Sequence, residues 1–383
     1  MENEPLVSIG VPVYNDAPRL RNALDHLIKQ DYPSLEIILA DDGSTDGSRE
    51  ICREYARRDS RIRYFENHQN LGAVNNHRLV IELSKGDYFT WGTGHDYFQI
   101  TFVSQTLNIL KANPSVLLCC PRSVFVDEDG QVVRTPIGGL DTRGLPPVER
   151  FKKVLAHLTG GGTANIFYGL YRRKTLAQVD FSRKVIGCDA IMLGELSLLG
   201  DIVQIDEILY HRFKHADTSG SKRVKRHQAY LLVMDQSHLE ALSPYLSMIY
   251  EYLKMVESCN LTDPEKQSLI EAIKGESNRI RPIIMNEIEC VIEAADKLLK
   301  QQEPYPGLRQ YWASRILDIL NKAWMLGYDI PNIHQVRSKC LKGLDLGTEA
   351  KAAVFHEKMR GFSKKAVLIW EKCKKTFLYV RET

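Results

Sequence analysis

In the first hundred residues, the side chains able to do chemistry collect where apolar runs end. Asn15 follows "VSIGVPVY", Asp41 and Asp42 close "LEIILADD", and His95 and Asp96 close "GDYFTWGTGHD". Adjacent carboxylates at a strand exit can accept hydrogen bonds from a base N–H and from ribose hydroxyls, and Gly43 lets the chain turn sharply enough for a ligand to approach. The same residues also suit a turn in which Ser44 or Asp46 caps the following helix. The His95-Asp96 pair has the chemistry of a divalent-cation site, with imidazole suiting manganese better than magnesium, or of a solvated loop.

The elements that must position these residues read clearly from periodicity. "LVSIGVPV" is a buried strand, "APRLRNALDHLIKQ" carries apolar residues at Leu20, Leu24, Leu27 and Ile28 as a helix does, and "LEIILA" is a second strand. "SREICREYARR" predicts a helix, "RIRYF" a strand, "AVNNHRLVIELSK" a helix and "DYFTW" a strand. This alternation predicts a parallel sheet covered on both faces. Ligands of such sheets gather beyond the carboxyl ends of the strands, which here means "PVYND", "DDGSTDGS", "ENHQNLG" and "GTGHDYF". No GxGxxG follows the first strand and no GxxxxGK[ST] occurs, which weighs against a dinucleotide oxidoreductase and a P-loop enzyme.

Further on, the pattern predicts a helix near 100–112, a strand at "SVLLCC" and a hairpin turning at Glu128-Asp129-Gly130. A loop over 136–147 precedes a helix at "VERFKKVLAHL", the glycine run "TGGGT", a strand at "NIFYGLY", a helix at "AIMLGELSLLG" and a strand at "DIVQIDEILYHRF". Beyond "KHADTSGSKR" every long segment has helical periodicity. The expected division is therefore an α/β domain over 1–222 and a helical domain over 223–383.

Composition narrows the function classes. A net charge of +3 over 383 residues gives no footprint for nucleic acid. The eight cysteines form no CxxC pair, and Cys119-Cys120 sits in an apolar run as small buried hydrophobes do. With no basic-then-apolar leader at the start and no run of about 18 apolar residues, a cytoplasmic location is expected.

Four motifs in this order and spacing, "VSIGVPVYN", "YPSLEIILADDGSTDGS", "NLGAVNN" and "KGDYF", resemble the amino-terminal half of the inverting family 2 glycosyltransferases. The resemblance runs over roughly residues 5–215. "FYGLYRRKTLAQV", "IGCDAIMLGELSLLG" and "EILYHRFKH" resemble the acceptor half of bacterial envelope-polysaccharide members of that family. It implies the GT-A nucleotide-sugar-binding fold, with a mostly parallel central sheet followed by the helical C-terminal domain. It also implies transfer of a sugar from a nucleoside diphosphate, UDP foremost, to a hydroxyl of a glycan or glycolipid.

By position, the resemblance implies that Pro12, Tyr14 and Asn15 line the nucleotide pocket, with Asp42 facing the base and Asp41 supporting it. Asp189 falls at the place of the catalytic base; on its residues alone it is equally the N-cap of a helix starting at Ala190. Arg212 and His215, in "YHRFKH", would cover the donor diphosphate. The departure is at the metal: members carry Asp-x-Asp after the fourth strand, whereas here Thr93 and His95 stand in those positions with Asp96 next. A divalent cation, manganese or magnesium, is thus implied through His95 and Asp96. The alternative is a catalytically silent GT-A-fold scaffold with a degenerate metal motif. Residues 351–381 hold nine Lys or Arg against two Glu among apolar residues, the composition of a basic amphipathic helix. Such a helix can lie on an anionic membrane beside a lipid-linked acceptor, or form the buried face of a bundle.

Overall fold

The structure, a computed structural model, describes residues 4–159, 164–181, 183, 185, 187–213, 243–298, 308–328 and 340. The chain divides into two compact units, Met1–Glu287 and Ile288–Thr383. The expected division at residue 222, His215 and the basic segment 351–381 all lie outside the described residues.

The first unit is built on β1 (Val7–Val13), β2 (Leu35–Asp41), β3 (Ile62–Glu66) and β4 (Tyr88–Trp91), paired in parallel in the order β3-β2-β1-β4. Side chains alternate across a strand, so an apolar run buried on both faces feeds two cores. Ile9, Ile37 and Leu39 join one cluster with Leu20 and Leu24 of α1 (Ala17–Ile28), Cys52 of α2 (Ser48–Arg58) and Phe102 of α4 (Phe102–Ala112). Ile38, Ala40 and Phe89 join the other, with Val80 of α3 (Ala73–Glu82), Val154 of α5 (Pro147–Thr159) and Met192 of α7 (Cys188–Leu199). The predicted two-faced layering is present.

The sheet is not parallel throughout. β8 (Leu170–Arg172), which leads into the short α6 (Arg173–Leu176), runs antiparallel to β4 on one side and to β6 (Val116–Val126) on the other. β6 then pairs in parallel with β9 (Asp201–Phe213), whose far end pairs antiparallel with β5 (Tyr97–Phe98). The hairpin at Gly130 forms as expected, with β7 (Val132–Arg134) returning along β6 and Gly130 at φ +77°. The segment read as the strand "NIFYGLY" is a 3-10 turn over Ala164–Tyr168 followed by the three residues of β8.

Two further helices, α8 (Pro244–Ser258) and α9 (Asp263–Arg279), belong to the same unit. Tyr252 of α8 donates its hydroxyl to the Ala190 carbonyl at 2.7 Å, and Gly194 makes the contact possible. A Cβ at Gly194 would stand 2.8 Å from the Tyr252 ring and 3.0 Å from Phe151. α10 (Arg281–Leu298) runs across the division, and α11 (Leu308–Met325) lies in the second unit, where Ile316, Ile319, Leu320 and Ala323 are buried and Lys322 pairs with Asp318.

Glu287 makes the first turn of α8 sensitive to pH. Its carboxyl is buried, and its oxygens accept from the Tyr245 and Leu246 amides at 3.2 and 3.3 Å. Burial raises it to about 8, and the two amide bonds oppose that shift only partly. The folded state thus holds a proton that the unfolded chain releases near pH 4.5, so stability is full below that pH, falls as pH rises to about 8, and is level beyond. Glu287→Gln should match the wild type in urea denaturation at pH 5 and exceed it by about 3 kcal/mol at pH 9, after allowing for one weakened amide bond. Parallel pH profiles for the two proteins would refute this.

Candidate functional site

The carboxyl ends of β1 to β4 meet at one edge, and their loops are stitched together by short polar side chains. Asn15 is the one non-glycine residue with positive φ (52°) among the described residues, a conformation asparagine tolerates better than most. Its amide donates to Ser44 Oγ at 3.0 Å, and its side-chain oxygen accepts from the Thr45 amide at 2.8 Å. Asp46 accepts from Ser48 Oγ at 2.6 Å and from the Ala17 amide at 3.0 Å, so it tethers the start of α1 to the start of α2. Gly47, at φ +95°, holds the N-cap position of α2 that Ser44 or Asp46 was read as filling. Pro12 is half-buried at the end of β1, and Tyr14 beyond it is 43% exposed, so its ring is open to a ligand.

Asp41 and Asp42 are both buried, with distinct partners. Asp41 accepts from the Ser44 amide at 3.1 Å and lies 3.4 Å from Arg49 Nε and from the Tyr64 hydroxyl. Asp42 accepts from Asn67 Nδ2 at 2.9 Å, the Leu71 amide at 2.7 Å and the Gly72 amide at 3.0 Å. Three of its roughly four lone-pair directions are therefore used to fold the "NLG" loop under the sheet edge.

The "GTGHD" stretch owes its second glycine to Asp16. A Cβ at Gly94 would fall 2.4 Å from Asp16 Oδ2 and 2.7 Å from Asp16 Cβ, so only glycine lets this loop close on the start of α1. The closure puts His95 Nδ1 3.0 Å from Asp16 Oδ1, and because a carboxylate only accepts, that nitrogen carries the proton. Its Nε2 faces Asp96 Oδ2 at 3.8 Å. Burial works against a charged imidazole here. The Asp16 hydrogen bond and the two carboxylate charges outweigh burial, so the His95 pKa is raised. Asp96 is 3% exposed and is a clasp: Oδ2 accepts from the Tyr210 hydroxyl at 2.7 Å and Oδ1 from the Phe213 amide at 2.9 Å.

The residues expected as metal ligands are thus engaged with protein partners. Among the described residues no group of three or more His, Cys, Asp or Glu is spaced to hold an ion. His95 and Asp96 do not by themselves fit a preformed cation centre.

From the other half of the sheet, β9 brings Arg212 to the same place. Its Nε is 3.9 Å from Asp96 Oδ2, and its Nη1 donates to Asn165 Oδ1 at 2.7 Å. Asp189 lies in the first turn of α7, whose N-cap is Gly187 at φ +81°, so it is not the cap of a helix starting at Ala190. Asp189 Oδ1 accepts from the Ala190 amide at 2.9 Å. Burial raises its pKa, and the Ala190 amide and the Arg212 charge pull back only in part.

The structure thus brings Tyr14, Asn15, Asp41, Asp42, His95 and Asp96 to one edge of the sheet, with Arg212 beside Asp96 and its charge felt at Asp189. Sequence reasoning missed three partners that hold this set in place, Asp16, Asn165 and Tyr210. Asp16 carries a signal in retrospect, since an Asp before Ala17-Pro18 has the look of an N-cap, yet it makes no side-chain cap bond and points at His95 instead.

A sequence profile described as Glycosyl transferase family 2 matches residues 8–179. Residues 8–179, a little under half of the chain, thus match the family 2 glycosyltransferase domain. The GlyG glycosyltransferase of Streptococcus pneumoniae serotype 4 is 41% identical over 85 residues, 22% of this chain and 28% of that protein. An uncharacterized glycosyltransferase of Haemophilus influenzae is 34% identical over 132 residues, 34% of this chain and 52% of its own length. The chain therefore spans about a quarter to a half of these relatives. Among solved structures, S. aureus TarS 1–349 in complex with UDP-GlcNAc matches with a TM-score of 0.56 at 15% identity, covering 88% of this chain and 89% of that one. That likeness is one of fold, and the family 2 domain here has the GT-A architecture with helices following it. No helix among the described residues is long and apolar enough to cross a membrane.

Proposed function

We propose that the protein is an inverting glycosyltransferase that moves a sugar from a nucleoside diphosphate, UDP in the first instance, to a hydroxyl of a glycan or lipid-linked acceptor of the cell envelope. The observation that carries the reading is Asp189: a carboxylate whose pKa is raised by burial, on a family 2 fold, under the influence of the Arg212 charge. TarS, which shares the fold, was solved with UDP-GlcNAc.

In this reading Asp189 accepts the proton of the acceptor hydroxyl as that oxygen attacks the anomeric carbon. The new C–O bond forms on the face opposite the departing diphosphate, and the electrons of the broken bond go to its β-phosphate oxygen. Arg212 meets the charge that develops there. Tyr14 and Asn15 face the nucleoside, and Asp41 and Asp42 hold the loops around it. The expected His215 contact belongs to the proposal on the resemblance, and the membrane contact of residues 351–381 on their basic amphipathic composition beside a lipid-linked acceptor.

A second reading, a silent scaffold of the same fold, draws support from Asp42 and Asp96 being largely occupied by backbone and hydroxyl partners. One experiment separates the two: nucleotide release from a panel of nucleotide-sugars, with manganese, magnesium or chelator, in the presence of envelope glycolipid. Catalysed UDP release from one donor supports the transferase, and the three ion conditions read its divalent-cation requirement. Binding of UDP with no release from any donor supports the scaffold.

A further inference from the structure

Resting on the donor reading above, we infer that Asn165, braced by Ser123, is a positioning residue that holds the Arg212 guanidinium toward a diphosphate without neutralising it. Asn165 is 4% exposed and Ser123 is 6% exposed, so both are core polar residues that need partners. Asn165 Nδ2 donates to Ser123 Oγ at 2.9 Å, which orients the amide so that its oxygen faces Arg212 Nη1 at 2.7 Å. The brace is anchored in the sheet, since Ser123 lies in β6 beside Tyr210 of β9, and Phe125 two residues on lies beside Arg212.

The choice of an amide decides the chemistry. A carboxylate at 165 would pair with the guanidinium and cancel its charge, whereas an amide oxygen fixes one N–H and leaves the full positive charge for an anion. Asp96, the carboxylate in reach, stands at 3.9 Å and already accepts from Tyr210 and Phe213. The side chain of Arg212 is 38% exposed and makes one hydrogen bond among the described residues, so further N–H donors of the fork are left for two phosphoryl oxygens. A guanidinium left without its brace samples other rotamers, and each binding event then has to order it again.

The test is calorimetric binding of UDP and of UMP, which share the base and ribose and differ in the β-phosphate. Asn165→Ala should weaken UDP about tenfold and leave UMP within about twofold, the size of one ordered charge-assisted contact. Arg212→Ala should show the same pattern, and the double variant should add little to either single one, as expected for two residues acting through one contact. Ser123→Ala, a smaller cavity, should move the UDP-to-UMP ratio in the same direction by about threefold and serves if Asn165→Ala does not fold. An unchanged ratio in these variants, or equal weakening of both ligands, overturns the inference while leaving the donor reading intact. Failure of the unaltered protein to bind UDP overturns the donor reading first.

Discussion

Asp189→Asn should lower sugar transfer by about 100- to 10,000-fold while leaving UDP affinity within about twofold. The amide keeps the size of the side chain and an oxygen for the Ala190 amide, so the first turn of α7 is undisturbed. In the proposed reaction, what it loses is the ability to take a proton from the acceptor hydroxyl. The direction of the wild-type pKa gives a second signature. Because burial raises it above the ordinary carboxylate value, the ionised base is lost at a higher pH than usual, and transfer should fall as pH drops through that raised value. Single-turnover transfer across pH 4 to 8 measures both, and a mutant with near-normal rates removes Asp189 from the chemistry.

Asp96→Ala should cost about 3–5 kcal/mol of stability in the first unit, the usual penalty for removing one partner of a buried polar and charged cluster. The truncation strands the Tyr210 hydroxyl in the core and frees the Phe213 amide, while Arg212 loses the carboxylate nearest it and His95 the second of its two. Urea denaturation measures the loss, and the same loss should appear with chelator and with manganese. If the penalty is seen only when manganese is present, Asp96 is a metal ligand rather than a clasp. A stability equal to that of wild type would remove the clasp altogether.

How much of this was legible beforehand follows from distance along the chain. The alternation from β1 to β4 rests on local periodicity and was readable, as was the Gly130 turn. "NIFYGLY" has β-rich composition over its whole length, yet Ala164–Tyr168 coils, and its polar contacts, Asn165 to Ser123 Oγ and the Phe167 carbonyl to the Tyr171 hydroxyl, are side-chain bonds that composition does not reveal. "SVLLCC" and "SVFV" read as separate pieces across Pro121, whereas they form one strand whose register against β9 shifts at Cys120 and Arg122. The candidate site had the same limit. The positions of Asp41, Asp42, His95 and Asp96 at strand ends were visible, but their partners were not: Asp42 reaches residues 29 and 30 positions away, and Asp96 residues 114 and 117 away. Pattern reading places a carboxylate at an edge and is silent about which amides will fill its lone pairs.

The clasp between Asp96 and the end of β9 also sets an order of events during synthesis. β1 to β4 complete a parallel layer from residues 7–91, and the loop carrying His95 emerges directly behind it. The partners of Asp96, Tyr210 and Phe213, leave the ribosome more than a hundred residues later. At about 5–20 residues per second, the nascent chain spends several seconds or more with this carboxylate and its edge unpaired. Loop-closure entropy makes such a long-range contact late in folding as well. The β1–β4 half can therefore take shape first, and the edge becomes complete only when the second half of the sheet closes over it, so truncated or stalled chains would carry Asp41, Asp42 and His95 without Arg212 and Asp189.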